Sequence, residues 1–250
     1  MFNAKKTKEN LINWIKEWFS NNGNSDTKAI LGISGGKDST ICAALLVEAL
    51  GKDRVYGVLM PNNVQSDIED SLTVVNHLGI EYSIINIGET YNALSKEISD
   101  KLSLENLSHQ YKTNTPARLR MVTLYGVGAI IGNTRVCNTG NMSELMVGYT
   151  TLYGDLAGDF AMFNHLTKSE VVEIGQLCDI PEYLVRKAPG DGMSGKTDED
   201  SYGFTYDELD AYIRENKQGP NYEVIKNKIK ANTFKHHILN IPSFTNVVIE

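Results

Sequence analysis

Six consecutive residues, Ser34-Gly-Gly-Lys-Asp-Ser39, place two glycines, two hydroxyls, a cation and a carboxylate between two apolar runs. Glycines let backbone N–H groups turn inward with no Cβ in the way, and a helix N-terminus adds about half a positive charge, so a strand-to-helix turn of this kind binds anions. An ordinary tight turn would also carry glycines. Ser34, Asp38 and Ser39 are what such a turn does not need. The spacing is not that of a Walker A loop, because Asp38 follows Gly36-Lys37 and Leu31 stands at the first glycine's place. Gly32, Gly35 and Gly36 do not form the dinucleotide fingerprint Gly-x-Gly-x-x-Gly either. A carboxylate beside a phosphate cradle calls for a cation between the two, and Mg2+ is the usual one with nucleotide phosphates. Asp38 is therefore a candidate metal ligand.

A second turn repeats the design. Thr134–Asn138 reads as a short strand, and Thr139-Gly-Asn-Met-Ser-Glu144 follows with a carboxylate near a helix start, which makes Glu144 a candidate second ligand for the same cation. A helix-start glutamate that only complements the helix dipole is the plainer alternative. Thr167-Lys-Ser-Glu170 forms a capping box. Its Lys168 opposes the dipole and so invites a phosphate partner, although exposed lysines are common there. Arg118 and Arg120 lie on one predicted helix and point in different directions; a surface charge or salt bridge is the plain reading of Arg120, yet one of the two could meet an anion.

The elements that must position these residues alternate. Strands are expected at Lys28–Ile33, Arg54–Met60 and Glu81–Ile87. Helices are expected at Thr40–Leu50, from a cap at Ser66 or Asp67 to Leu78, and at Thr90–Leu102. This alternation predicts an α/β fold, a Rossmann-like, doubly wound parallel sheet with helices on both faces. Ligands in such sheets sit at the carboxyl ends of the strands, where Ser34–Ser39 and Met60–Gln65 fall. Ser103–Asn114 reads as a loop, and a helix from Thr115, its cap, with Pro116 in its first turn, runs to Ile131. Tyr149–Asp159 has no period. The helix opened by Thr167 reaches Cys178, and two more, Thr205–Asn216 and Tyr222–Phe234, close the chain. The expected organisation is one domain over 1–250: an N-terminal helix (1–23), a nucleotide-binding core (28–180), a mobile loop (187–203) and C-terminal helices with a tail (205–250). The N-terminal helix carries Leu11, Ile12, Trp14, Ile15, Trp18 and Phe19 on a broad stripe, better suited to core packing than to a second subunit.

Composition sets the class. In 250 residues, 41% apolar and 22% charged, no apolar run approaches 18 residues and no signal-peptide core follows the lysines at the start, so a cytoplasmic protein with no membrane contact is expected. Cys42, Cys137 and Cys178 are odd in number and far apart, which suits buried thiols and neither disulfides nor zinc. A net charge of −7 argues against nucleic acid as a partner, so any anionic ligand must be held by a few placed cations.

The Ser34–Ser39 turn resembles the loop of the ATP pyrophosphatases, which hold the pyrophosphate of ATP while its α-phosphorus is attacked. Six stretches taken in order carry a more specific resemblance over nearly the whole chain: that turn, Ala117-Arg-Leu-Arg-Met121, Thr139–Glu144, Tyr153-Gly-Asp155 with Asp159, Leu166-Thr-Lys168, and Gly203–Asp210. Together they resemble the ammonia-dependent NAD synthetases. The resemblance implies a homodimer that uses ATP and Mg2+ to convert deamido-NAD to NAD. It assigns Gly32, Ile33, Ser34, Gly35, Gly36, Lys37, Asp38 and Ser39 to the ATP phosphates, with Gln65, Thr139, Lys168 and Gly190 as further ATP contacts. It assigns Asp38 and Glu144 to Mg2+, Arg118, Asp159, Lys235 and His236 to deamido-NAD, and catalysis to Asp38, Lys37 and Lys168. The chain departs from the family at Leu152, where many members carry a lysine, at Gly190, where Ser194 is a stand-in for a family Ser/Thr, and at Lys235-His236, which only approximates a His-Lys pair.

The implied chemistry suits these residues. A carboxylate cannot be amidated directly, because oxide is a poor leaving group; it attacks the α-phosphorus of ATP, and ammonia then displaces AMP from the acyl-adenylate. Positioning and charge neutralisation do most of the catalysis. The 190–200 stretch would serve as a water-excluding lid. No cysteine sits in a nucleophile setting and no length remains for a glutaminase, so free ammonia or a separate partner is the expected nitrogen source. Other ATP pyrophosphatases, such as tRNA-thiolating enzymes, would want reactive cysteines and a basic surface. A nucleotide-binding regulator would not need both Asp38 and Glu144.

Overall fold

The computed structural model of the chain describes residues 1–65, 68–186, 198–238 and 242–249. Five parallel strands form one sheet in the order β3-β2-β1-β4-β5, with β1 at Lys28–Gly32, β2 at Val55–Leu59, β3 at Glu81–Ile84, β4 at Thr134–Asn141 and β5 at Phe160–Phe163. The order reverses at β1, so the crevice between the ends of β1 and β4 is the switch point at which such sheets bind ligands.

Alternation along the strands sorts the core into two layers. Ala29 and Leu31 of β1 enter one cluster with Leu11 and Ile15 of α1 (Ala4–Asn21), Ile41 and Leu45 of α2 (Lys37–Leu50), Val74 and Val75 of α3 (Ile68–Leu78), Ile174 of α7 (Lys168–Gly175) and Leu184 of α8 (Glu182–Arg186). Ile30, between them, enters the opposite cluster with Val58, Val136 and Leu124 of α5 (His109–Ile131), beside which α4 (Gly88–Leu102) packs. A third cluster joins Tyr202 of α9 (Asp198–Tyr202), Tyr206 and Leu209 of α10 (Tyr206–Glu215) and Ile225 of α11 (Tyr222–Asn232). No helix among the described residues is long and apolar enough to cross a membrane.

The helices begin and end differently from expectation at several points. α2 starts at Lys37, not Thr40, so Lys37, Asp38 and Ser39 lie in its first turn and Gly36 is its cap residue. α5 starts at His109, because the Ser108 side chain accepts from Tyr111 N–H; the expected loop at 109–114 is helical, and Thr115 and Pro116 are buried within the helix rather than at its cap. β5 was not marked by the sequence pattern. All four of its residues are buried, so the alternation that flags a half-exposed strand is missing. Residues 198–202, expected in the mobile loop, form α9, whose Asp198 and Tyr202 are buried. The cap at Ser66 or Asp67, Gly190, Ser194 and the 190–197 part of the expected lid lie outside the described residues.

Trp14 and Trp18 pack on the core rather than forming a surface patch: Trp18 lies 4.7 Å from the Phe160 ring and Trp14 meets Phe244 edge-on at 6.0 Å. Phe244, fully buried, belongs to a tail that covers the open edge of β5. Ala161 N–H donates to Pro242 O, Phe244 N–H donates to Ala161 O, and Val248 N–H reaches Thr7 Oγ1 on α1. The tail thereby blunts a sheet edge that would otherwise be free to pair. Phe244→Ala should lower unfolding stability by about 3 kcal/mol or more, read from urea unfolding, and a loss below about 1 kcal/mol would show that the tail is not part of the core.

Candidate active site

At the carboxyl end of β1 the chain turns sharply. Gly35 adopts φ +75°, and a Cβ there would meet Asp70 Cβ at 2.9 Å and Ser71 N at 3.0 Å, so the turn is wedged against the first turn of α3 and only glycine fits. Hydroxyls brace the turn from inside: Ser34 Oγ and Ser39 Oγ lie 3.0 Å apart, Gly36 N–H donates to Ser34 Oγ at 3.2 Å, and Thr40 Oγ1 donates to Gly36 O at 2.7 Å. No side chain caps the N-terminus of α2. Its first-turn N–H groups, with the positive end of the helix dipole, face the crevice as an anion site.

Three elements bring their charges to this turn. Lys168, the first residue of α7, is 4% exposed, and its Nζ donates to Asp38 Oδ2 of α2 at 2.5 Å and to Glu144 Oε1 of α6 (Met142–Met146) at 2.9 Å. Burial alone would push the Lys168 ammonium down, yet the two carboxylates hold it above its ordinary value. Burial pushes the Glu144 carboxyl up to about 7, with Lys168 opposing and Asp38 adding to the rise. Lys37, half-buried beside them, is lowered by burial and by repulsion from Lys168. Asn141 links the two acids, donating from Nδ2 to Asp38 Oδ1 at 3.4 Å and accepting from Glu144 N–H at 3.1 Å.

A surrounding layer fixes these groups. Asp210 of α10 accepts from Ser143 Oγ at 2.5 Å and from Ser169 N–H at 2.9 Å, while Ser143 Oγ accepts from Lys168 N–H. The expected capping box of Thr167 and Glu170 is present, and Arg214 Nε grips Glu170 at 2.7 Å. Asp198, buried on α9 and bonded by Tyr206 O–H at 3.0 Å, also faces Lys168 and Lys37; burial raises its carboxyl. The Gly203–Asp210 motif does signal Asp210 in the sequence, but its bond partners are set only by tertiary packing.

The donor set fits Mg2+. Asp38 and Glu144 aim oxygens at one position, at present filled by the Lys168 ammonium, and no group of three or more His, Cys, Asp or Glu side chains gathers among the described residues. Two carboxylates completed by nucleotide oxygens and water is the pattern by which Mg2+ is held beside phosphates.

The other expected site residues are distributed unevenly. Thr139 lies at the carboxyl end of β4, on the same edge as the turn, and Gln65 lies in the segment that follows the carboxyl end of β2. Arg118 Nε donates to Leu152 O at 3.1 Å. Asp159 is not at the phosphate turn: it accepts from Val136 N–H at 2.7 Å and from Tyr125 O–H at 3.0 Å, beside the middle of β4, and burial together with Asp159 raises the Tyr125 phenol. Lys235 Nζ donates to Gly148 O and Thr150 O at 2.5 and 2.6 Å, and a ring nitrogen of His236 lies 3.2 Å from Met146 O, so both brace the loop after α6. Cys42, Cys137 and Cys178 are free thiols, and burial raises Cys42 and Cys178.

The profile of the NAD synthase family matches residues 7–244. The NH(3)-dependent NAD(+) synthetase of Pyrococcus furiosus is 37% identical over 212 residues, 84% of this chain and 78% of that one. The protein of the same name from Finegoldia magna is 35% identical over 236 residues, 93% of this chain and 94% of its own. Among solved structures, NMN synthetase from Francisella tularensis matches with a TM-score of 0.82 at 32% identity, covering 98% of this chain and 100% of that one. The NH3-dependent NAD synthetase of Campylobacter jejuni matches with a TM-score of 0.74 at 28% identity, covering 100% of both. With a family profile spanning almost the full length and relatives of 35% and 37% identity over most of the chain, this chain belongs to the NAD synthase family.

Proposed function

We propose that the chain amidates the carboxylate of deamido-NAD with ammonia at the expense of ATP, giving NAD, AMP and pyrophosphate. The observation that carries this reading is the convergence of Asp38, Glu144 and Lys168 on the end of the Ser34–Ser39 turn. The turn's amides and Lys37 hold the ATP phosphates, with Thr139, Gln65 and Gly190 as further contacts. Bound at Asp38 and Glu144, Mg2+ would neutralise charge as the α-phosphate reacts. A carboxylate oxygen attacks the α-phosphorus, the bond to the bridging oxygen breaks, and pyrophosphate leaves with the electron pair. Lys168, released from its two acids when phosphates enter, carries positive charge to the phosphoryl oxygens. Ammonia then attacks the acyl carbon, AMP departs with the electron pair, and a proton passes to solvent. Arg118, Asp159, Lys235 and His236 belong to the acid's side of the site, the last two by bracing the loop that carries Leu152.

The likeness to an NMN synthetase makes the mononucleotide acid whose amidation would yield NMN the second substrate to assay. Incubation with ATP, Mg2+, ammonium and deamido-NAD should form NAD, AMP and pyrophosphate in equal amounts. Asp38→Asn should lower the rate about 100-fold or more with the fold intact. ATP cleavage with the mononucleotide acid alone would move the substrate to that compound, and wild-type rates in the variant would remove Asp38 from the site.

The same reading includes a cytoplasmic homodimer. Val122, Tyr125, Gly126, Ala129 and Ile130 form one exposed stripe along α5, with Ile130 89% and Val122 70% exposed, opposite the face that Leu124 and Gly128 bury. The spacing is that of one helix face, and the small Gly126 and Ala129 let a second copy of the helix approach closely. Wild-type protein should sediment as a dimer and Ile130→Asp as a folded monomer; a monomeric wild type, or a variant that stays dimeric, would remove this seam.

A further inference from the structure

The described arginines differ in how their donors are used. Arg54 donates to Thr27 O and Asn24 O, Arg135 to Asn22 O and Thr134 O, and Arg214 to Glu170 and His165 O. Arg118 and Arg120 each show one donation, from Nε to Leu152 O at 3.1 Å and to Met60 O at 3.0 Å, but Arg118 is exposed whereas Arg120 is half-buried. A guanidinium has five N–H donors in a planar fork, so the four on its terminal nitrogens are unspent. Those nitrogens are not sealed from solvent, since they are not among the buried polar atoms that lack a partner. No described carboxylate pairs with Arg120; Asp155 acts on it only from beyond ion-pairing distance, and burial lowers its pKa.

Its position is as informative as its bonding. α5 leads into the start of β4 at the amino edge of the sheet, and Arg120, eleven residues before its end, reaches Met60 just past the carboxyl end of β2, so the N-terminal half of α5 lies toward the carboxyl edge. That half is fixed: Gly154 packs so closely that a Cβ there would lie 3.1 Å from Ala117, Thr151 Oγ1 donates to Asn114 Oδ1 at 3.1 Å, and Arg118 is tied to Leu152. Met60, which Arg120 grips, follows β2, and its methyl group would lie 3.1 Å from a Cβ at Gly32, where the phosphate turn begins. Arg120 is thus held beside the carboxyl end of β2 on the α5 side of the sheet, next to the start of the turn, while Lys37 and Lys168 stand on its α2 side.

We propose that Arg120 receives the carboxylate of the acid substrate, pairing both its oxygens with the free edge of the guanidinium. The inference rests on the amidation reading above. The phosphates already have Lys37, Lys168 and the α2 amides. The incoming acid is an anion that must approach a triphosphate in a chain of net charge −7, and a cation at its carboxylate offsets that repulsion at the reacting end. A planar fork on a buried stem matches a carboxylate in two parallel bonds and fixes which oxygen points at the α-phosphorus. A lysine would supply charge without that orientation.

The test compares binding of deamido-NAD with that of NAD, which carries an amide where the acid has its carboxylate, in wild-type, Arg120→Ala and Arg120→Lys protein, by calorimetry. Wild-type protein should prefer the acid by roughly 10- to 100-fold; Arg120→Ala should bring that ratio close to one while leaving NAD affinity within about twofold, and Arg120→Lys should fall between. Guanidinium ion added to Arg120→Ala should restore part of the lost kcat, which a merely structural role would not allow. An unchanged acid-to-amide ratio in Arg120→Ala would overturn the proposal, as would an equal loss of acid, amide and ATP affinity without rescue. A wild-type protein that neither binds nor turns over deamido-NAD would overturn the amidation reading itself, and the role of Arg120 with it.

Discussion

Lys168 sits between Asp38 and Glu144, and the arrangement of the crevice depends on that contact. The three residues come from α7, α2 and α6, so one buried ammonium fixes the relative position of three helix starts around the end of β1 and β4. Two carboxylates this close repel each other and resist ionising together unless a cation lies between them. In the protein alone Lys168 is that cation. In the function proposed above, a divalent cation arriving with the nucleotide would take over that role and free the lysine for the phosphates.

The layer behind these charges keeps them in place. A buried ion cluster is costly unless its members are hydrogen-bonded on every side. Asn141 bridges Asp38 to Glu144, Ser143 and Asp210 hold the start of α7, and Arg214 clamps Glu170 in its capping box. Asp210 and Arg214 both lie on α10, so the C-terminal helices serve as the outer wall of the active site. The tail that follows them closes the edge of β5 and returns to α1, tying both ends of the chain to the same core.

Much of this was legible in the sequence because the motifs are local. A glycine pair between a strand and a helix, a repeated polar turn with a carboxylate and a capping box each declare themselves within a few residues, and together they point to the crevice, to Asp38 with Glu144 and to the parallel sheet. The rest depends on contacts distant in sequence. Lys168 declares itself as a cation set against a helix dipole, but its burial between two acids 130 and 24 residues away leaves no local mark. β5 escaped notice because burial on both faces erases alternation, and the first turns of α5 because Pro116 looked like a beginning rather than an interior residue. Asp159 also ties β4 to α5, a contact fixed by strand register that no local pattern encodes.

The central claim is that the crevice presents the α-phosphorus of ATP to a carboxylate. The most direct measurement is to supply deamido-NAD with heavy oxygen in its carboxylate and to follow the label by mass spectrometry through one round of turnover. Attack at the α-phosphorus predicts one labelled oxygen in AMP for each NAD formed, and none in pyrophosphate. Unlabelled AMP, or label in inorganic phosphate, would contradict the account.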